Sequence, residues 1–218
     1  LSDGTQGSLG GAIENSSRST INKINADFIG NMADKGGAIL NTNHSIINSI
    51  NGNFIANEAT YNENYDSGIG GAIKNEESSY IGNITGSFVS NTAADGGAIY
   101  NVTSSTITGL TGDFVGNSAV RGGAIYNTND SLIGSINGNF IANEAWKGGA
   151  IANHYSAIIG DIKGDFIGNR SIIENEEAKG GAIHNTSTIG NIAGNFVSNY
   201  IQNSSYDGYG GAVANYDG

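Results

Sequence analysis

Residues 122–147 read GGAIYNTNDSLIGSINGNFIANEAWK, and at Gly148 the same opening hexapeptide begins again. Two motifs sit in this stretch: Gly-Gly-Ala-Ile-x-Asn at its head, and Phe-x-x-Asn from Phe140 to Asn143. The hexapeptide, with Ile or Val at its fourth place, starts at Gly10, Gly36, Gly70, Gly96, Gly122, Gly148, Gly180 and Gly210. The second motif is led by Phe28, Phe54, Phe88, Phe114, Phe140, Phe166 and Phe196, which are all seven Phe of the 218-residue chain. The two alternate without a skip. A fixed period of this kind marks a repeat architecture, in which one supersecondary unit stacks on the next.

Each Gly-Gly lies 18 residues before the next Phe in six units and 16 before it in the last. The return from Phe to the next Gly-Gly takes 8, 16, 8, 8, 8, 14 and 14 residues. One side of the unit therefore keeps register, while a loop just after Phe-x-x-Asn accepts insertions. Short bursts of apolar/polar alternation argue for half-buried strands, and no sustained helical stripe is present. In the unit quoted above, the pattern predicts strands over 123–127, 131–133 and 136–141, with a bend at Gly134. Strands that stack on their own kind pair in parallel. The expected fold is all-β, a parallel β-helix solenoid with about 26 residues and three short strands per coil. Coils would be ~4.7–4.9 Å apart, right-handed by the general crossover preference. The reading takes residues 1–218 as a single β-helix repeat domain, a segment of a longer surface protein.

Reading down the stack gives the columns. Ile13, Ile39, Ile73, Ile99, Ile125, Ile151, Ile183 and Val213 form one apolar column, and the seven Phe form another. One Asn column runs through Asn15, Asn41, Asn75, Asn101, Asn127, Asn153, Asn185 and Asn215. A second runs through Asn31, Asn57, Asn91, Asn117, Asn143, Asn169 and Asn199. Asn tolerates left-handed bends and bonds local backbone, and stacked amides bond one another. These columns are read as structural ladders. The Gly pair is assigned to a φ > 0 bend or to close packing.

Composition narrows the function. The formal net charge is −11, with nine Lys plus Arg, no Cys and no Pro. No basic stripe exists, so nucleic acid is not an expected partner. No apolar run is long enough for a membrane span within this segment. The absence of Cys removes thiol and disulfide chemistry.

Gly-Gly-Ala-Ile alternating with Phe-x-x-Asn resembles the repeats of the chlamydial polymorphic membrane proteins. The resemblance runs from Gly10 to Asn215. It implies an autotransporter passenger, similar to a right-handed β-helix, that acts in adhesion to host cells. The chain departs from that family in lacking Cys and in carrying no translocator barrel in these residues.

No set of residues reads as catalytic, cofactor-binding or metal-ligating. The column before each Phe (Asp27, Asn53, Ser87, Asp113, Asn139, Asp165, Asn195) separates its acids by neutral units and reads as a solvated strand face. Glu174, Glu176 and Glu177 lack calcium-loop spacing, and His44, His154 and His184 lack zinc spacing. The outward place of the hexapeptide varies instead: Glu14, Leu40, Lys74, Tyr100, Tyr126, Ala152, His184, Ala214. Together with the loops it offers a candidate partner-binding surface of Tyr61, Tyr65, Tyr100, Tyr126, Trp146, Tyr200, Tyr206 and Tyr209. The expected function is that of a non-enzymatic, secreted or bacterial cell-surface rod, adhesin-like, without cofactor. Its partners would be a host or neighbouring cell-surface protein or glycan. Two alternatives stay open: a fibre subunit or segment binding other copies of itself end to end, and a carbohydrate-active β-helix enzyme.

Overall fold

The structure is a computed structural model that describes residues 7–61, 67–172, 178–202 and 208–216. All paired strands run parallel, and no helix occurs among the described residues. They build a β-solenoid of about seven turns, with the chain advancing one coil per repeat.

Three sheets run along the stack. The first joins the eight hexapeptide strands, Ile13–Asn15 through Ile125–Asn127 to Val213–Asn215. The second contains Ile46–Asn51, Tyr80–Thr85, Thr106–Thr111, Leu132–Asn137 and Ile158–Lys163. The third stacks the seven Phe strands, Phe28–Ile29 to Phe196–Val197. Register is in phase throughout: Ile99 pairs with Ile125, Asn101 with Asn127 and Phe114 with Phe140.

Two of the strands expected from the sequence are redrawn. Residues 131–133 and the start of 136–141 belong to one strand, Leu132–Asn137, and Gly134 lies inside it. Ile133 and Ile136 are three apart, which breaks strict alternation, yet both are buried because residues 134 and 135 both turn outward. The bend falls instead at Gly138, before Phe140–Ile141 enters the third sheet. Two further ladders complete each coil. One links Glu58, Thr92, Ser118, Glu144 and Arg170. The other links Leu9, Lys35, Ile69, Asp95, Arg121, Lys147 and Lys179. The extra residues of the long units fall between these two ladders.

The core is the space the sheets enclose. Ile39, Ile73, Ile99, Ile125 and Ile151 are fully buried, as are Ile47, Ile81, Ile107, Ile133 and Ile159. The Phe rings stack face to face at 4.7–4.9 Å, with planes within 6° of parallel. That spacing equals the distance between hydrogen-bonded strands, so each ring lies on the next.

The two glycines of the hexapeptide do different work. The first takes a left-handed φ, 61° at Gly122, where a Cβ would meet its own Ile125 carbonyl oxygen at 2.1 Å. The second lets coils touch: a Cβ on Gly123 would lie 2.1 Å from the Gly149 carbonyl oxygen of the next coil. Gly116 also has a left-handed φ of 61°, but only Ser90 Oγ lies within 4 Å of its Cβ position, at 3.7 Å. Gly123→Ala should therefore cost about 3 kcal/mol, the upper end for overpacking. Gly116→Ala should cost about 1 kcal/mol, the left-handed penalty alone; Ala142 already occupies the equivalent place with φ 52°. Urea unfolding of both variants checks this, and equal costs would contradict it.

The Asn columns are not themselves the left-handed residues. After the first column six corners take two successive left-handed residues, such as Asn43 and His44 (58° and 59°) or Asn129 and Asp130 (52° and 59°). Ahead of the second column a single left-handed place is filled by Gly, Ala or Ser. Asn41 Nδ2 spans the corner to the Ser45 carbonyl (3.3 Å) and donates to Asn75 Oδ1 (2.8 Å) and the Tyr80 carbonyl (3.2 Å) of the next coil. Left-handed non-glycine residues cost ~1–2 kcal/mol each, and these buried bonds offset that strain. The seven amide-to-amide bonds of this column measure 2.7–3.0 Å.

Candidate functional site

The hexapeptide residue between Ile and Asn points away from the core, as alternation requires, yet most of this column is buried. Leu40, Lys74 and Tyr126 are 1–2% exposed, Ala152 is fully covered and His184 is 5% exposed. The reason lies in the flanking corners. The ladder of Asp95, Arg121, Lys147 and Lys179 rises on one side, and the residues that follow the Asn column (Thr128, His154, Thr186) rise on the other. The first sheet thus lines a groove along the stack.

Within it the repeat breaks at one place. Ala152 supplies a small floor between Tyr126 and His184, with which it is in register on either side. The next unit is two residues shorter, so the corner at Thr186 and Ser187 lacks the left-handed pair; Asn185 Nδ2 bonds the Ser187 carbonyl at 3.0 Å instead. A cavity of about 580 Å³ results, open to solvent, with Arg121, Lys147, Lys179, His154, His184 and Tyr155 around it. Ser156, Thr186 and Ser187 add hydroxyls to its lining.

Arg121 forms a fork to Asp95, with Nε to Oδ1 at 2.7 Å and Nη2 to Oδ2 at 2.5 Å, and its guanidinium lies 4.9 Å over the Tyr126 ring. Burial works to lower the Arg121 pKa, but the hydrogen bonds and charge of Asp95 outweigh it and raise it. Burial also pushes the Tyr126 phenol up, with Arg121 opposing. Lys179 stands 5.9 Å over Tyr209 and 5.4 Å over Tyr216.

His154 Nε2 and His184 Nδ1 are 2.9 Å apart, so one ring donates and the other accepts. Burial, then the charges of Arg121, Lys147 and Lys179, pushes His154 down to about 4. Burial, then His154 and the two lysines, pushes His184 down to about 3. Both rings are neutral at pH 7. Their folded values lie below the unfolded ~6.5, so the unfolded chain binds protons first on acidification. Their contribution to stability is whole above pH ~6.5 and is lost progressively as pH falls toward the folded values. The melting temperature should fall between pH 7 and pH 5 by more in the native chain than in a His154→Gln/His184→Gln variant. Parallel curves for the two would contradict this.

The expected Tyr surface divides. Tyr100 and Tyr126 share the groove, with ring centroids 5.3 Å apart, but Tyr126 is buried against Arg121 and His154. Tyr209 reaches the same groove beside Lys179. Tyr61 is 70% exposed and lines a separate hollow of about 430 Å³ with Ala94 and Val120. Tyr200 is exposed and hydrogen-bonds Arg170, which also pairs with Glu144. Trp146 is half-buried, and its carbonyl accepts from Ser171 Oγ. Tyr65 and Tyr206, like Glu174, Glu176 and Glu177, lie outside the described residues.

Two groups were missed from the sequence: Tyr155, 65% exposed at the pocket mouth, and the His pair. His154 and His184 occupy different columns, and only a diagonal reading across Ala152 brings them together. Of the acids before each Phe, Asp27 is exposed and Asp113 and Asp165 are half-buried, and the latter two are tied down: Asp113 Oδ1 accepts from Asn139 N at 2.8 Å, and Asp165 Oδ1 from Asn195 N at 2.8 Å. Among the described residues no group of three or more His, Asp or Glu gathers to hold a metal, and no helix is long and apolar enough to cross a membrane.

Parallel in-phase coils, stacked Phe and laddered Asn define a β-solenoid repeat protein. The Chlamydia polymorphic membrane protein repeat matches this chain at residues 85–102 and 112–128, so the chain carries repeats of that type. Each match runs from a Phe strand, or just before it, through the following hexapeptide strand. Comparison with curated proteins and with solved structures gave no match.

Proposed function

We propose that this chain is an adhesive, autotransporter-passenger-like rod of the bacterial outer surface. The repeat match and the solenoid fit a surface protein of that kind. One observation carries the adhesive reading. Ile (Val213 in the last unit) and Asn flank every floor position of the groove, while the floor itself reads Glu, Leu, Lys, Tyr, Tyr, Ala, His, Ala. Six of those eight floor residues are buried, so this constant scaffold contributes by holding exposed side chains in fixed places, as rigid repeats do for partners. Exposed aromatic residues at Tyr61, Tyr155, Tyr200 and Tyr209 add contact groups of the kind enriched at interfaces.

The test uses beads coated with the 218-residue chain and scored for saturable attachment to cultured mammalian cells. A variant with Tyr61, Tyr155, Tyr200 and Tyr209 changed to Ser should keep its far-UV spectrum and melting temperature but lose most attachment. Attachment of the native chain no better than that of an unrelated coated protein would overturn the reading.

A further inference from the structure

Nine Lys and Arg serve a chain of net charge −11, yet three of the nine surround one cavity. They come from one column. Arg121 pairs in register with Lys147, and Lys147 with Lys179. Like charges directly opposite across strands are destabilising, and the same column shows the alternative: Asp95 opposite Arg121 makes a fork of opposite charges. A chain with a surplus of acids places three cations in succession here. Two buried imidazoles complete that wall and floor, and burial, joined by the nearby positive charges, keeps both uncharged.

We infer that this pocket binds a carboxylated sugar unit, which as a biological role rests on the adhesive reading above. The charge-assisted part is Lys147 and Lys179, whose ammonium N–H groups match a carboxylate, while Arg121 stays forked to Asp95. The rest of the lining suits a polyhydroxyl body. Neutral imidazoles offer both a donor and an acceptor, Ser156, Thr186 and Ser187 offer hydroxyls, and Tyr155 offers an exposed ring face at the mouth. At about 580 Å³ the cavity falls within the ~300–1,000 Å³ of small-molecule sites. The global charge selects further. A net −11 repels long polyanions, so the ligand is a terminal unit with one or two charges rather than a densely sulfated chain or a nucleic acid. Its neutral remainder would leave through the open side.

The probes are glucuronate and N-acetylneuraminate, with glucose and N-acetylglucosamine as neutral counterparts, titrated into the purified chain by calorimetry and by NMR of the histidine ring protons. Both acids should bind and shift the His154 and His184 signals; the neutral sugars should do neither. Lys147→Gln/Lys179→Gln should weaken binding about tenfold or more, as loss of charge-assisted bonds does, with the melting temperature recording that the fold is intact. Tyr155→Ala, at an exposed ring, serves as a second variant and should weaken both acids alike. No binding of either acid, equal binding of the neutral sugars, or unchanged affinity in the lysine variant would overturn the inference. The two readings fail separately. Cell attachment without acid binding removes the pocket and leaves adhesion. Acid binding without cell attachment does the reverse.

Discussion

Asn117→Ala is expected to cost about 4 kcal/mol and to open the stack at its middle. Asn117 is fully buried. Its Oδ1 accepts from the backbone N–H of Asn91 at 2.9 Å and from Asn91 Nδ2 at 2.9 Å. Its Nδ2 donates to the Phe88 carbonyl at 2.9 Å and to Asn143 Oδ1 at 3.0 Å. Alanine removes four bonds at once, and no water reaches the groups left behind. Each buried orphan costs ~1–3 kcal/mol, part of which is recovered where a group keeps a second partner, as Asn91 Nδ2 does at the Phe54 carbonyl. Asn117→Asp should be no milder, since it keeps the acceptors but places an unpaired charge in a dry site. Asn31→Ala, in a partly exposed coil, should cost clearly less. Urea unfolding followed by circular dichroism measures all three; a loss below about 1 kcal/mol at Asn117 would show that the ladder is ornamental to stability.

Phe114→Ala should be comparably damaging, at about 3–5 kcal/mol. The ring lies between Phe88 at 4.9 Å and Phe140 at 4.8 Å and is 1% exposed. The neighbouring rings are held by strands whose spacing is fixed by hydrogen bonds, so they cannot close the gap. Phe196 makes the comparison: it is 37% exposed and stacks on Phe166 from one side only. Phe196→Ala should lose less than half as much. In a stack whose units contact only their neighbours, a cavity at Phe114 should also split unfolding into two transitions, one for each side. Calorimetry would show this as a second peak; a single peak and equal losses at both positions would argue against it.

Much of this was readable from the chain itself. The parallel stack, its period and the identity of each column follow from the spacing of Gly-Gly and Phe. The ladders through Glu58 and Lys35 did not, because they rest on bridges of one to three residues with no alternation in hydropathy. Strand Leu132–Asn137 was split because two inward Ile sit three apart. The groove escaped for a different reason. Alternation says which way Tyr126 or His184 points, but not whether corners on either side rise to cover it. The pocket depends on a coincidence of three irregularities: Ala152 on the floor, a corner shortened at Thr186, and His154 leaning toward His184. Each is unremarkable in its own column.

The Asn amides also share a direction. In both ladders every amide-to-amide bond runs from Nδ2 to the Oδ1 of the C-terminal neighbour. Backbone partners fix this sense, because Oδ1 of the second ladder receives main-chain N–H groups. Where the ladders pass, each coil therefore has two unlike faces: the C-terminal one offers an amide hydrogen and the N-terminal one an amide oxygen. A coil laid on upside down would set hydrogen against hydrogen, and one shifted by a residue would miss its mate. A finished coil is a mould that accepts the next in a single orientation and register. Aligned dipoles also strengthen one another along a chain of bonds, so the mould becomes more exacting as the stack lengthens.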